Sequence, residues 1–571
     1  MDELNNTNLT SQDGGLPDDI DQSQQQIQNQ PNFEQYQQQY QTIPTEEPVY
    51  DQMQYQNGTY YKQPKKKGIA RIIALVAVFV VLIAGATTAY AFRGRLVNTV
   101  SQLTKSPAQY YAFIEKSNIN VTKQSIKKYL DASTDNMGVK IKTDVNFNHD
   151  NINSLMKDNM GISLDDVEKQ IGLPLKSFGI NMLIGQTDDT INESLGIGLN
   201  QVDIISAELF MNNAAGKFFA RIPELSDSYI DFSDILKSEG VDLKKFKRPS
   251  TDQTIDLITR YSDLIIKDVK DVKLDKNSKL KVDDLTKKCS KLTVTISNDD
   301  LYHMLKDILK EAKDDKYILN LLSAYNISKK DYQDEIKNQL DSLDENSDDL
   351  LKKDIIMKVY VDEKGAIIGR AFSSKGTDTV FSYAYLKDSN NSEYNLSINN
   401  DKGKALFDIT GTQTKKNGAY DGSAEIAISD PNGNSSDEIN IDVDYKDYRT
   451  EFKDNHYFNT GKITISSSDL LGIEITSDSS VANNTQKEVI TIQAGGKTLA
   501  TIDSSSEYIK DYKAEMPSKN SKTYGSSDLG GYISSIDVNA YIKKLSEKLG
   551  VDVISIYNNL MQLYGYNNLY N

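Results

Sequence analysis

Ile355-Ile356-Met357-Lys358-Val359-Tyr360-Val361, Asp362-Glu363-Lys364-Gly365 and Ala366-Ile367-Ile368-Gly369-Arg370-Ala371-Phe372 follow one another without a break. Two runs rich in β-branched residues flank a short Asp/Gly turn, which is the signature of a tight β-hairpin. The pattern continues downstream. Strands are expected at Thr379 to Leu386, Tyr394 to Ile398, Ala405 to Thr412, Ala419 to Ile428, Glu438 to Tyr445, Gly461 to Ser466, Gly472 to Thr476, Glu488 to Gln493 and Thr498 to Ile502. Asn417-Gly418, Asn432-Gly433 and Gly495-Gly496 punctuate them. The intervals are too short for crossover helices, so residues 351–505 are expected to form an antiparallel meander. Residues 506–536 read as a Ser/Lys/Gly-rich linker, and 537–571 as a terminal helix pair split at Gly550.

Upstream, residues 134–350 read as strands followed by helices. Val139, Ile141, Thr143, Val145 and Phe147 alternate with polar residues, which gives one wet face. Gly179 to Ile184, Glu193 to Leu199, Ile204 to Met211 and Lys217 to Pro223 repeat the pattern. From Thr251 the apolar spacing becomes helical, interrupted by one expected strand, Lys291 to Ile296, before Ser297 caps the next helix. Helices continue over Tyr317 to Tyr325 and Ser328 to Leu343, ending in the acidic cluster Asp344, Glu345, Asp348 and Asp349. The fold class is therefore α+β: a large antiparallel sheet with helices packed against it.

The N-terminal part is built differently. Residues 1–61 hold ten acidic groups and no Lys or Arg, and their Gln/Tyr-rich composition offers too little apolar surface to offset chain entropy. A disordered tail is expected there. Residues 62–95 hold seven basic groups and no acid, and they enclose the neutral apolar run Ile72 to Phe92. As a helix its 21 residues would extend about 31 Å, the thickness of a bilayer core. Five of the basic groups precede the run and two follow it, so the tail is expected in the cytoplasm and the C-terminal part outside the cell. A cleaved signal ending near Ala91 is the competing reading, because Ala89-Tyr90-Ala91 resembles a processing site. Residues 96–133 read as a helical stalk, with Val97, Val100 and Leu103 on one face and Pro107 opening a second helix.

The basic-flanked span, the Ser-Pro-Ala-Gln-Tyr-Tyr segment at residues 106–111 and the strand-rich region after it resemble an uncharacterised family of membrane-anchored proteins from Gram-positive bacteria, over residues 66–503. The succession of strands, helices and a long meander is similar to the lipoprotein-carrier fold. That resemblance implies a curved antiparallel sheet able to hold acyl chains and transfers no site residue.

Composition excludes several functions. The 571 residues carry a net charge of -17, which disfavours general nucleic-acid binding. The single cysteine, Cys289, permits no internal disulfide, and buried thiols are commoner than reactive ones. The nucleophile elbow, the zinc-protease helix and the phosphate-binding loop are missing. Ser125-Ile126-Lys127-Lys128 and Ser278-Lys279-Leu280-Lys281 both fit S-x-x-K, but two such matches are expected by chance in a chain this rich in Ser and Lys. Asp430, Asn432 and Asn434 have calcium-loop spacing, yet Ser435 stands where that loop needs glycine. His149, His303 and His456 lie far apart in sequence. No catalytic, metal or cofactor residue is therefore nominated, and no cofactor is expected.

The expected protein is a non-enzymatic, membrane-anchored extracytoplasmic protein that binds lipid or another apolar ligand at the cell envelope. The alternative is a structural or sensory envelope protein acting through protein partners. A ligand is suggested by Phe381, Tyr383 and Tyr385 on one face of their strand and Val380, Ala384 and Leu386 on the other, so that both faces call for a cover. The helices between Thr251 and Leu343 are expected to supply one; a ligand, a partner or the helices from Asp537 are the candidates for the second.

Overall fold

The computed structural model describes residues 95–563 except 135, 240, 246–249, 325–326, 401, 430–438, 455 and 468–472. The expected tail and span, and the Asp430 to Ser435 turn, lie outside the described residues. No helix among the described residues is long and apolar enough to cross a membrane.

In chain order the first half comprises α1 (Arg95–Thr104), α2 (Pro107–Thr134), β1 (Met137–Phe147), α3 (His149–Met160), α4 (Leu164–Ile171), β2 (Ser177–Gln186), β3 (Thr190–Leu199), β4 (Val202–Asn212), β5 (Lys217–Arg221), β6 (Tyr229–Asp231), α5 (Ser233–Ser238), α6 (Thr251–Lys267), β7 (Asp271–Val282), β8 (Leu285–Ile296), α7 (Asn298–Asp314), α8 (Lys316–Ala324) and α9 (Lys329–Glu345). The meander follows as β9 (Ile355–Val361), β10 (Ile367–Ser374), β11 (Thr379–Asp388), β12 (Asn391–Asn399), β13 (Ala405–Lys416), β14 (Ala419–Ile428), β15 (Ile439–Lys453), β16 (His456–Ser467), β17 (Ile473–Ala482), β18 (Thr485–Ala494) and β19 (Lys497–Lys510). Then come β20 (Thr523–Gly525), α10 (Leu529–Ser534), α11 (Val538–Leu549) and α12 (Val553–Leu563).

All twenty described strands join one sheet. From β7 to β19 each strand pairs antiparallel with the next. β19 then pairs with β1, and β1 to β6 continue the meander. Only β20, against β6, is parallel. The sheet thus runs unbroken across residue 350, because β8 pairs with β9, and the N-terminal strands close onto the C-terminal ones at β1 and β19.

Helical capping follows the sequence. Ser250 and Ser297 each form a reciprocal capping box at the start of α6 and α7, satisfying backbone donors that the helix leaves unpaired. Glycines in the left-handed conformation close α3, α4 and α11.

The main core is local. Leu292, Val294, Met357, Val359, Val361 and Ile367 of β8 to β10 pack under Tyr110, Tyr111 and Ile114 of α2 and Met304 of α7. Within residues 96–133, read as a helical stalk, α2 packs on this end of the sheet. The expectation that residues 251–343 supply that cover is met only in part, by Met304 and the neighbouring α6 residue Ile265. The opposite face is closed by Val282 and Cys289 of the β7–β8 hairpin against Ile368, Ala384 and Leu386. Neither a ligand nor the terminal helices are needed there. Those helices lie elsewhere: Tyr541 donates to the Ile204 carbonyl and Asn559 to the Ile171 carbonyl.

Three sequence readings are corrected. β7 was not expected, and β8 begins at Leu285 instead of Lys291. A shift of register between Asp275 and Ser278 breaks the alternation of β7, and lysines crowd both of its faces. The helical hairpin α3–α4 was likewise unmarked among strands. The stretch read as a linker, 506–536, is largely fixed. β19 runs on to Lys510, Asn192 exchanges two hydrogen bonds with the Glu515 backbone, and the Tyr512 ring lies where a side chain at Gly138 or Gly185 would stand.

Candidate apolar ligand face

The pleat assigns alternate residues to opposite faces, so the register of each pair tells which side chains share a face. On one face Tyr383 stands opposite Leu396, Leu396 opposite Ile409, Ile409 opposite Ile426, and Ile426 opposite Ile441. The neighbouring row continues from Val443 to Ile465, Ile475, Ile492 and Ala500. Beside it, Ile490, Ile502, Val145, Phe178 and Leu199 carry the same face through β19, β1 and β2 to β3. At neighbouring-strand spacing, β11 to β3 extends about 50 Å.

The other face is polar. Asn395, Thr410, Glu425, Asp442, Ser466, Glu474 and Gln493 form its matching row. Acidic Glu425, Asp442 and Asp444 line a cleft of about 580 Å³ there, together with Asp283 from the β7–β8 turn.

The aliphatic face is the one that α2 covers at the β8–β10 end, since Arg370 stands opposite Tyr383, and Val359 opposite Arg370. Further along, this face is less deeply covered among the described residues. Among the described residues of β12 to β18, the buried apolar side chains are Ala419, Phe458 and Ala494. The aliphatics of the row are half-buried by their lateral neighbours, and Ile398, Ile428 and Ile465 are exposed. A partly exposed apolar row of this length makes the face a candidate binding surface.

One border of the strip is aromatic. Tyr385, Tyr394, Tyr420, Tyr445 and Tyr448 surround a cavity of about 640 Å³ with Gln413, Lys415, Val443 and Ile463. Glycines permit this: a Cβ at Gly411 would meet the Tyr394 ring at 2.4 Å, and one at Gly422 would meet the Tyr445 hydroxyl at 2.5 Å. The phenols are tethered. Tyr385 donates to Ser392 Oγ at 3.0 Å, and Tyr445 reaches Gln413 Oε1 at 3.2 Å. Burial first, then Tyr394, pushes the Tyr445 hydroxyl well above its ordinary pKa, so it remains a neutral donor. Lys415 Nζ stands 5.3 Å from the centre of the Tyr420 ring and supplies the positive charge of this border.

The residues weighed for chemistry are placed otherwise. Ser125 bonds back to the Val121 carbonyl, and Lys128 lies over the Phe452 ring. Ser278 donates to Asp275. Neither serine meets the lysine of its own S-x-x-K motif in these contacts. Cys289 is buried, and burial followed by Asp275 pushes its thiol up to about 11, which suits a core residue. His303 pairs with Asp299 one turn away. His456 is buried and stacks on Tyr508 at 4.2 Å. His149 has companions that sequence distance concealed: the α3–α4 hairpin brings its Nε2 within 3.3 Å of Asp165 and 3.2 Å of Glu168. These are ion-pair distances, and Glu168 also accepts the Leu175 N–H at 2.7 Å, so the group serves to fasten the hairpin. Tyr302 and Lys306 hold Asp344 of the acidic cluster on α9.

No protein-family model matches the chain, and no curated protein matches it. Among solved structures, a multiply substituted mutant of the Rh. blastica porin aligns with 65% of this chain and 99% of its own, at 7% identity and a TM-score of 0.19. A likeness that slight bears on neither fold nor function.

Proposed function

We propose that the chain is a non-enzymatic, membrane-anchored extracytoplasmic protein that holds the acyl chains of a lipid along the open aliphatic face of its sheet. The observation that carries this is the register. One face is apolar from β11 to β3 while its reverse, across β12 to β18, is lined by polar and acidic residues, and helices cover the apolar face chiefly at the β8–β10 end. Each buried methylene of a hydrocarbon chain lying along such a strip gains about 0.8 kcal/mol. The tyrosine-lined cavity suits the polar end of the ligand, because phenol donors, Gln413 and the Lys415 ammonium can meet ester or phosphate oxygens. The apolar run Ile72 to Phe92 supports the anchor, and the surplus of positive charge before it supports an external C-terminal part.

The test uses the chain from Arg95 onward, which contains the cores described above. A fluorescent acyl probe should brighten on it with micromolar affinity, and lipid should be found by mass spectrometry in its organic extract. A dark probe and an empty extract would leave the structural or sensory alternative, acting through protein partners.

A further inference from the structure

Helix α1 is inside out. Its Asn98 and Ser101 are 1% and 6% exposed, whereas Val97, Val100 and Leu103 are 50%, 48% and 71% exposed. The 100° step of the helix puts the three aliphatics on one side and the polar residues on the other.

On the buried polar side, Asn98 and Gln102 are hydrogen-bonded. The Asn98 amide donates to the carbonyls of Asp362 at 3.1 Å and Glu363 at 3.3 Å, in the β9–β10 turn. Its Oδ1 accepts from the Tyr110 hydroxyl at 2.8 Å. Gln102 donates to the same hydroxyl at 2.9 Å and to Ser290 Oγ at 3.0 Å. Hydrogen bonds thus dock α1 on the sheet in a fixed rotation, with its aliphatic stripe turned outward. In water this rotation gains nothing from the hydrophobic effect, since the alternative rotation would bury Val97, Val100 and Leu103.

The preceding chain says what the stripe faces. Phe92, the end of the neutral apolar run, stands five residues before Val97. Five residues reach at most about 17 Å when fully extended, and Arg93 and Arg95 lie within that reach, as expected of side chains at the headgroup level. If Ile72 to Phe92 spans the bilayer, α1 has no choice but to lie close to its surface.

We propose that α1 is an interfacial helix whose Val97, Val100 and Leu103 insert into the outer surface of the lipid bilayer, and that Asn98 thereby holds the β9–β10 turn against the membrane. The proposal rests on the anchor reading above. It adds the contact by which the sheet is oriented: the covered end of the aliphatic face is fixed at the lipid surface, and the open strip leads away from it strand by strand.

The experiment uses the full chain with Cys289→Ser, carrying a single cysteine in Val97→Cys, Val100→Cys or Leu103→Cys, labelled with an environment-sensitive fluorophore and reconstituted into vesicles. Asp478→Cys, on the polar face of β17, is the aqueous control. Flotation with the vesicles reports the anchor; the labels report the helix. The three α1 labels should emit to the blue of the control and lose most of their intensity when nitroxide-bearing lipids are included. Labels in water on chains that do float would overturn the interfacial helix and leave the anchor standing. Labels shielded but untouched by lipid nitroxides would overturn it in favour of a second copy or another protein. Chains that fail to float would overturn both readings.

Discussion

Glu115 of α2 and Arg370 of β10 form a two-pronged ion pair, Nη1 to Oε1 at 2.8 Å and Nη2 to Oε2 at 2.7 Å. The side chains are 2% and 3% exposed. Burial opposes the arginine's charge, yet the adjoining carboxylate more than compensates and raises its pKa above the ordinary value. The pair ties the cover helix to the strand from which the open aliphatic face departs. Breaking one side strands a buried charge. Glu115→Gln should cost roughly 3–5 kcal/mol in urea unfolding, and Glu115→Leu with Arg370→Met should recover most of that loss.

Gly461 has φ of 112°, and a Cβ there would stand 2.7 Å from backbone atoms of Asp447 and Tyr448. Backbone cannot swing aside as a side chain can. Gly461→Ala should therefore destabilise the β15–β16 pair by about 1–3 kcal/mol, whereas Gly530→Ala, with open space around it, should be close to neutral. Thermal midpoints of the two variants make the comparison.

Burial first of all lowers His456 below its usual 6.5. Between that value and the depressed one, the unfolded chain binds the proton and the folded chain does not, so stability must fall as pH falls through this window. His456→Gln should flatten the acid limb just below pH 6.5. An unchanged slope in the variant would remove His456 from the acid response.

How much of this was legible in the sequence depends on the range of the interaction. The alternation in Ile355 to Val361 and Ala405 to Thr412 is a local property of the chain, and those strands lie where alternation puts them. The hairpin spacing likewise carried the order of the meander. Two things were hidden. The partners of β1 and of His149 are set by contacts that local periodicity does not encode, such as Val145 with Ile502 and His149 with Glu168. The second is the continuity of the aliphatic face. Each strand showed one wet side and one apolar side, but only register shows that Ile409, Ile426 and Ile441 stand abreast instead of alternating. The strand Thr379 to Leu386 is apolar on both faces, and they fare differently: Ala384 and Leu386 are covered by the β7–β8 hairpin, whereas Tyr383 and Tyr385 lead into the open strip and its cavity.

A charge on the strip should act where the same charge on its reverse does not. Ile426→Glu places a carboxylate among Ile409 and Ile441, while Thr410→Glu places one in the row that already holds Glu425. Both sites are partly solvent-accessible, so both variants should fold. Binding of the acyl probe should drop at least about tenfold, or 1.4 kcal/mol, in the first and stay within about twofold in the second.

The most direct test of the lipid-holding face is to map where a lipid lies. Cells producing the full chain are fed a fatty acid carrying a photoreactive group, irradiated, and the purified chain is searched by mass spectrometry for adducts. Adducts on Ile409, Ile426, Ile441, Ile475 and Ile492, and few on the polar row from Thr410 to Gln493, are the predicted outcome. Adducts confined to Ile72 to Phe92 and α1, with the sheet unmarked, would show that lipid meets this protein only as a membrane and would contradict the account.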